Sequence, residues 1–333
     1  MSHVFLPITS AFPRRACTQA LLVLTAFALF GFSPVASSQD YPSRPIRLYV
    51  GPGPDILARI VGEKLSSSWG QPVVIEQRPA AGGIVAGDTV AKAGPDGYSM
   101  LLTTGSYTIN SVLQPKMPYS LKQDLKPVSL LATLPFVLVV NPSLPVQNLK
   151  DLMAQARSNP GKINYASSGS GTPAHLAGEM LKQMAKVEVV HIPYKSAGAG
   201  LTDLMGGQVQ MMFAPAPSAL PLIKSGKLRA ISVSSPRRYS SLPDVPTVAE
   251  EGYPDFSIVG WNGLHVPAKT PLLIIEKLNA ELVKIMHIPD VQERAIKAGF
   301  EPMGTSIKDF ELFQNQDIAR MEAVIKAGNI HPE

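Results

Sequence analysis

Cysteine is nearly absent. The only one in 333 residues is Cys17, which precedes the main apolar run, whereas a lipid-anchored exported protein carries its cysteine after that run. A mature chain that begins beyond the run has no disulfide, no thiolate nucleophile and no lipid-bearing cysteine. Metal-ligand spacing is missing too: His175, His191, His265, His287 and His331 are scattered singly. The chain contains no G-x-S-x-G elbow, no H-E-x-x-H, no S-x-x-K and no G-K-[ST]. The sequence therefore offers no catalytic residue, no metal site and no cofactor, and the chain reads as a non-enzyme. Charge is sparse, with 17% charged residues and a net charge of +5. Removing Arg14 and Arg15 with a leader lowers this to +3 (28 basic against 25 acidic residues). That is too mild for nucleic acid, and no arginine-rich stripe appears. It suits an acidic small ligand, weakly.

Only one apolar run is long. It extends from Ala20 to Phe32, broken by Thr25, and follows Arg14 and Arg15. Pro34 to Ser38 come next, and Ala36-Ser37-Ser38 fits a small-x-small cleavage site. This is the layout of a secretory signal over residues 1–38, with cleavage before Gln39. The run is shorter than the roughly 20 residues a membrane-spanning helix needs. The mature chain is expected to be soluble and exported.

Apolar residues make up 45% of the chain, enough for real cores, and the length suggests about two domains. The 31 prolines and 26 glycines fall at element boundaries. Strand-like segments at 47–50, 73–76 and 98–103 alternate with helical segments at 56–66 and 84–93. Residues 128–140 form an apolar strand leaving this unit. A second alternating unit follows, with strands at 163–166, 187–192, 208–213 and 228–233 and helices at 201–205 and 220–225. Residues 257–260 cross back, and helices at 272–288, 291–298 and 309–327 close the chain. Such alternation predicts parallel sheets flanked by helices. The pattern is α/β, a crossing, α/β, a second crossing, then helices: two lobes with a ligand between them.

The chain is organised around residues 163–181. Ser167 to Gly171 bear no bulky side chain, so a ligand can approach the backbone. Thr172 is a good N-cap and Pro173 suits the first helical position. The helix start offers unpaired N–H groups and the positive end of a dipole, ringed by hydroxyls at Ser167, Ser168, Ser170 and Thr172, which attracts an anion. The same residues also describe an ordinary capped turn, and the stretch alone leaves both readings open. Turns at Gly51–Asp55, Thr104–Ser106 and Lys195–Gly200 are candidates by position, because ligands of open parallel sheets bind beyond the carboxyl ends of strands. Gly169 to Ala174 also match the dinucleotide pattern G-x-G-x-x-A. The acidic residue expected at the end of the next strand is missing, since Glu188 sits at that strand's start. A nucleotide-dependent enzyme is thus a remote alternative.

Several stretches together resemble one family: Tyr41-Pro42-Ser43-Arg44-Pro45-Ile46-Arg47-Leu48, Asp55-Ile56-Leu57-Ala58-Arg59 and the segments 70–79 and 95–98. Asn164 to Thr172, His191-Ile192-Pro193-Tyr194-Lys195, Leu242 to Thr247 and Trp261-Asn262-Gly263-Leu264 continue the match. The mature chain resembles the Bug-type extracytoplasmic receptors, the solute-binding components of tripartite tricarboxylate transporters. The resemblance implies a two-lobed, type II periplasmic-binding-protein fold joined by two crossing strands. It implies lobes of 39–139 plus 261–333 and of 140–260, and a periplasmic location. The implied partners are a small carboxylate-bearing organic acid and membrane permease subunits, and the fold usually works as a monomer. Reporting to a sensor kinase of a two-component system is an alternative role. Carried onto this sequence, the ligand positions are Gly51, Gly53, Asp55, Thr104, Gly105, Ser106, Ser168, Gly169, Ser170, Thr172, Lys195, Ser196 and Asp203. One departure stands out: only Gly51-Pro52-Gly53-Pro54 separates Val50 from Asp55, about four residues fewer than the family's usual loop.

Overall fold

The computed structural model describes residues 1–5, 41–51, 55–114, 116–327 and 330. The chain divides into Met1–Tyr41 and Pro42–Glu333. In the first unit, residues 1–5 are described and carry no regular structure. The rest of the expected signal peptide, with Cys17 and the cleavage site, lies outside the described residues. Among the described residues no helix is long and apolar enough to cross a membrane. Everything below concerns the second unit.

Its first half holds β1 (Ile46–Val50), α1 (Ile56–Trp69), β2 (Val73–Gln77), α2 (Ile84–Ala91), β3 (Ser99–Thr104) and α3 (Gly105–Leu113). The long strand β4 (Leu125–Val140) leads into α4 (Leu149–Ser158), β5 (Ile163–Ser167), α5 (Pro173–Ala185), β6 (Val189–Pro193) and α6 (Ala197–Met205). Then come β7 (Met211–Pro215), α7 (Ala216–Lys224) and β8 (Arg229–Val233). The chain returns through β9 (Val259–Pro267) to α8 (Leu272–Met286), α9 (Pro289–Lys297), β10 (Glu301–Pro302) and α10 (Ile307–Ala327).

One arrangement occurs twice in the sheet. The order is β2-β1-β3-β9-β4 in one half and β6-β5-β7-β4-β8 in the other. In each half three strands run parallel and a crossing strand runs antiparallel to the third of them. Strand β4 serves both halves. Residues Leu125 to Pro135 pair with β9, and Phe136 to Val140 pair with β7. The change of partner falls at Pro135, which has no N–H to give a ladder, so the ladder can break there at little cost. Most of β4 is buried, as expected of a near-continuous apolar strand covered on both faces.

The helices do not all begin where the sequence places them, and one was not expected. α3 contains Tyr107, Thr108, Ile109 and Val112, no charged residue, and a glycine at its first position. These are weak helix formers, so local propensity does not announce a helix there. Burial holds it instead: seven of its nine residues are buried, and Thr104 caps it. α6 starts at Ala197 rather than Leu201 because Ser196 Oγ accepts from Ala199 N at 3.3 Å. Its Gly200 lies against β5 and β7, where a Cβ would be 3.3 Å from Ala166 Cβ and from Met212 Sδ. α7 starts at Ala216 rather than Leu220, with Pro217 in its first turn, where a missing N–H costs nothing, and Pro221 inside it.

Candidate functional site

The sheet order sets the site. Strands β9 and β4 lie between β3 on one side and β7 and β5 on the other. The carboxyl ends of β3 and β5 therefore open on opposite sides of the crossing, and a helix starts just after each. At the β3 end Thr104 is extended, and its Oγ1 accepts from Ser106 N at 3.3 Å. At the β5 end Thr172 Oγ1 accepts from His175 N at 3.4 Å and donates to Gly169 O at 2.7 Å. The two helix starts nearly touch: a Cβ on Gly105 would sit 3.1 Å from Pro173 Cγ and 3.5 Å from Trp261 Nε1. Two helix N-termini thus converge from the two halves of the sheet, and their dipoles favour negative charge between them.

A small inner chamber lies at this point. Thr104, Gly105, Ser106, Ser168 and Asn262 give it polar edges, and Val50, Leu102, Leu134, Phe136, Trp261 and Phe300 give it apolar walls. The Asn262 amide is 5% exposed and makes no hydrogen bond to a described residue. A larger outer chamber of about 690 Å³ adjoins it, with Ser168 common to both. Arg78, Asn110, Gln114, Gly169, Ser170, Tyr194 and Lys195 line the outer one.

Buried polar networks fix both helix starts. Asp317 on α10 is 4% exposed. Its Oδ2 accepts from Thr108 Oγ1 on α3 at 2.7 Å and from Trp261 Nε1 on β9 at 2.8 Å, and its Oδ1 accepts from Arg320 Nη2 at 2.5 Å. Next to it Thr103 Oγ1 donates to Gly263 O at 3.0 Å, so it accepts from His265 Nδ1 at 2.9 Å. The proton on Nδ1 leaves Nε2 to accept from Gln314 Nε2 at 2.9 Å. Burial pushes the His265 pKa down to about 3, so the ring is neutral. On the other side the loop after β5 leans on two stacked imidazoles. His175 and His191 lie 4.1 Å apart, and the Tyr165 ring stacks 4.9 Å from His191. Ser167 Oγ is 2.7 Å from His191 Nε2, and Gly171 N donates to His175 Nδ1 at 3.3 Å.

Thr104, Gly105, Ser106 and Ser168 come together in the inner chamber, and Gly169, Ser170 and Lys195 join Ser168 in the outer one. Thr172 and Ser196 cap α5 and α6. Gly51 follows β1, and a Cβ there would lie 2.7 Å from Tyr107 Oη; it lines neither chamber. Gly53 lies outside the described residues, with the rest of the short loop 52–54. Asp55 gives α1 no side-chain cap. Its carboxylate instead accepts from Gln77 Nε2 at 2.6 Å and pairs with Arg59 Nη2 at 2.6 Å. The Arg59 hydrogen bond holds its pKa below the usual carboxylate range. Asp203, on α6, accepts from Tyr194 Oη at 2.8 Å. Burial, together with that bond, pushes the Tyr194 pKa up to about 12.

Sequence reasoning assigned no role to Asn262, Arg78, Asn110 or Gln114. Asn262 was visible only as part of a family motif, and Asn110 and Gln114 went unseen with α3. Among the described residues no group of three His, Cys, Asp or Glu side chains could hold a metal ion.

A family model described as "Tripartite tricarboxylate transporter family receptor" (TctC) matches residues 57–330. Protein BugT of Bordetella pertussis is 35% identical over 93% of this chain and 97% of its own length. The structure of Rhodopseudomonas palustris Rpa4515 with adipate superposes with a TM-score of 0.85 at 33% identity, covering 88% of this chain and 100% of that one. MatC (Rpa3494) of the same organism, with bound malate, gives a TM-score of 0.81 at 29% identity, covering 86% and 100%. The fold is thus the two-lobed periplasmic-binding-protein fold, with β4 and β9 as its crossing strands, and the chain belongs to the TctC family of solute-binding receptors.

Proposed function

We propose that this protein captures a small carboxylate-bearing organic acid in the periplasm and presents it to the membrane permease subunits of a tripartite tricarboxylate-type transporter. The observation that carries this reading is the meeting of the α3 and α5 N-termini at one polar-edged chamber. The ligand carboxylate sits between them, within reach of the Ser106 and Ser168 hydroxyls and the Asn262 amide. Gly169, Ser170 and Lys195 border the path outward. The protein works as a monomer whose lobes, 39–139 with 261–333 and 140–260, close on the acid. The partner change of β4 between Pro135 and Phe136 supports a join in that stretch. Ligand contacts to both lobes then favour the closed state.

The test is a thermal-shift screen of the chain from Gln39 onward against dicarboxylates, tricarboxylates, aromatic acids and acidic amino acids. A ligand that binds only the folded state raises the melting temperature by mass action. One acid class should give a clear shift, and Ser106→Ala with Ser168→Ala should reduce it. Each lost hydrogen bond to a charged group costs roughly 1.5–3 kcal/mol, about tenfold or more in affinity. Folded protein that responds to no acid would overturn the reading.

A further inference from the structure

Asn110 stands between the two halves of the sheet. It lies on α3 and is 2% exposed. Its Nδ2 donates to Gly82 O, in the turn between β2 and α2, at 3.2 Å. Its Oδ1 faces the other half, against Gly171 in the loop between β5 and α5. One neutral amide thus fills the space between a backbone turn of each half.

Both turns are left-handed at glycine, Gly82 at φ +60 and Gly171 at φ +72. A Cβ at Gly82 would lie 2.7 Å from Asn110 Nδ2, and one at Gly171 2.3 Å from its Oδ1. A side chain at either position would meet the amide, so glycine serves the fit as well as the turn. The halves stay close around it. A Cβ at Gly82 would also lie 3.7 Å from Ser170 O, and one at Gly171 3.7 Å from Leu113 Cδ2. Ile109 and Leu113 of α3 belong to one apolar cluster with Ala174, Leu176 and Ala177 of α5. Thr108 ties α3 to the buried Asp317, so the amide is presented from a fixed support.

We infer that Asn110 is a latch between the halves: it holds the loop 167–171 against the Gly82 turn and so sets how long the closed receptor keeps its acid. This rests on the carboxylate reading of the site and on closure of two lobes. The latch is made only while the halves are together, so it stabilises the closed state and leaves the open one unchanged. Apparent affinity falls with the closed fraction. The change appears in release rather than in capture, because the acid enters before the latch forms. Asn110 is therefore a positioning residue for the loop, and its effect is the same for every acid. An amide suits the place, since it adds no negative charge beside an anion.

The experiment has two arms, both on the protein from Gln39 onward. In the first, capture and release of adipate and of malate are followed by stopped-flow tryptophan fluorescence, with Trp261 on the chamber wall as reporter. Asn110→Ala should speed release of both acids about fivefold, the effect of one neutral hydrogen bond, with capture unchanged. Gly82→Ala displaces the amide from the other side and should also speed release, which keeps this arm decisive if Asn110→Ala folds poorly. Unchanged release, or a loss confined to one acid, would overturn the latch and leave the receptor in place. The second arm uses no acid: a double-mutant cycle between positions 110 and 171, read by urea unfolding. The penalty of Gly171→Ala should shrink when residue 110 is alanine, because the new Cβ no longer meets Oδ1. Equal penalties in both backgrounds would overturn the latch whatever the acids do. Folded protein that binds no acid but shows the coupling would overturn the receptor reading and keep the contact between the halves.

Discussion

The neutral, buried His265 should make folding stability depend on pH. In the folded protein its pKa is about 3, and in an unfolded chain it is near 6.5. Between these values the unfolded chain binds a proton that the folded protein refuses. Stability therefore rises with pH in this window and falls on acidification. The full contribution is present above pH 6.5, is lost progressively below it, and is gone near pH 3. At pH 5 the unfolded state is favoured by about 1.5 pH units, or about 2 kcal/mol relative to pH 7. Urea unfolding at intervals from pH 7.5 to pH 5 measures this in the chain from Gln39 onward. Other groups titrate in the same range, so the readout is the difference between wild type and His265→Asn. Asparagine keeps a donor toward Thr103 but has no proton to gain. The variant should be less stable at pH 7, because Gln314 Nε2 loses its acceptor. The two curves should converge by about 2 kcal/mol on going to pH 5. Parallel curves would refute the buried neutral imidazole and the proton placement drawn from Thr103.

Two further outcomes follow from the geometry. Asp317→Ala removes the acceptor for Thr108, Trp261 and Arg320 together, so it should cost roughly 3 kcal/mol of stability and weaken acid binding by loosening α3; unfolding and calorimetry check both. Gly171 and Gly161 have nearly the same backbone angle, φ +72 and +71, but a Cβ at Gly171 would lie 2.3 Å from Asn110 Oδ1 while Gly161 has nothing within 4 Å. Gly161→Ala should cost only the left-handed penalty of about 1–2 kcal/mol, and Gly171→Ala distinctly more, with lost ligand affinity. Equal melting temperatures for the two variants would show that Asn110 moves aside freely.

Local chemistry makes the opening of α5 legible from the sequence. Its cap, its proline and its small-residue approach act within a few residues, so Thr172 and Pro173 declare them wherever the chain goes. Apolar runs bounded by glycine and proline likewise mark β1, β3, β4 and β5, and their alternation with helices leads to a parallel sheet. The spread of family motifs along the chain points to the two lobes. The sequence hides the opposite side of the site. α3 has weak intrinsic propensity and exists because Tyr107, Ile109 and Leu113 are buried and Asp317, 209 residues from Thr108, anchors it. The duties of Asp55 and Asp203 are equally invisible in one dimension: each looks like an anion free for a ligand, and each is engaged by a neighbour.

The sequence by itself determined the class of fold and the capped start of α5, because these depend on short-range patterns and on composition. Only the tertiary structure decided that a second helix start faces the first, that Asn262 turns into the chamber between them, and that Arg78 and Lys195 share a wall. Those pairings join residues far apart in the chain, and the shared strand β4 with its returning partner β9 brings them to one place.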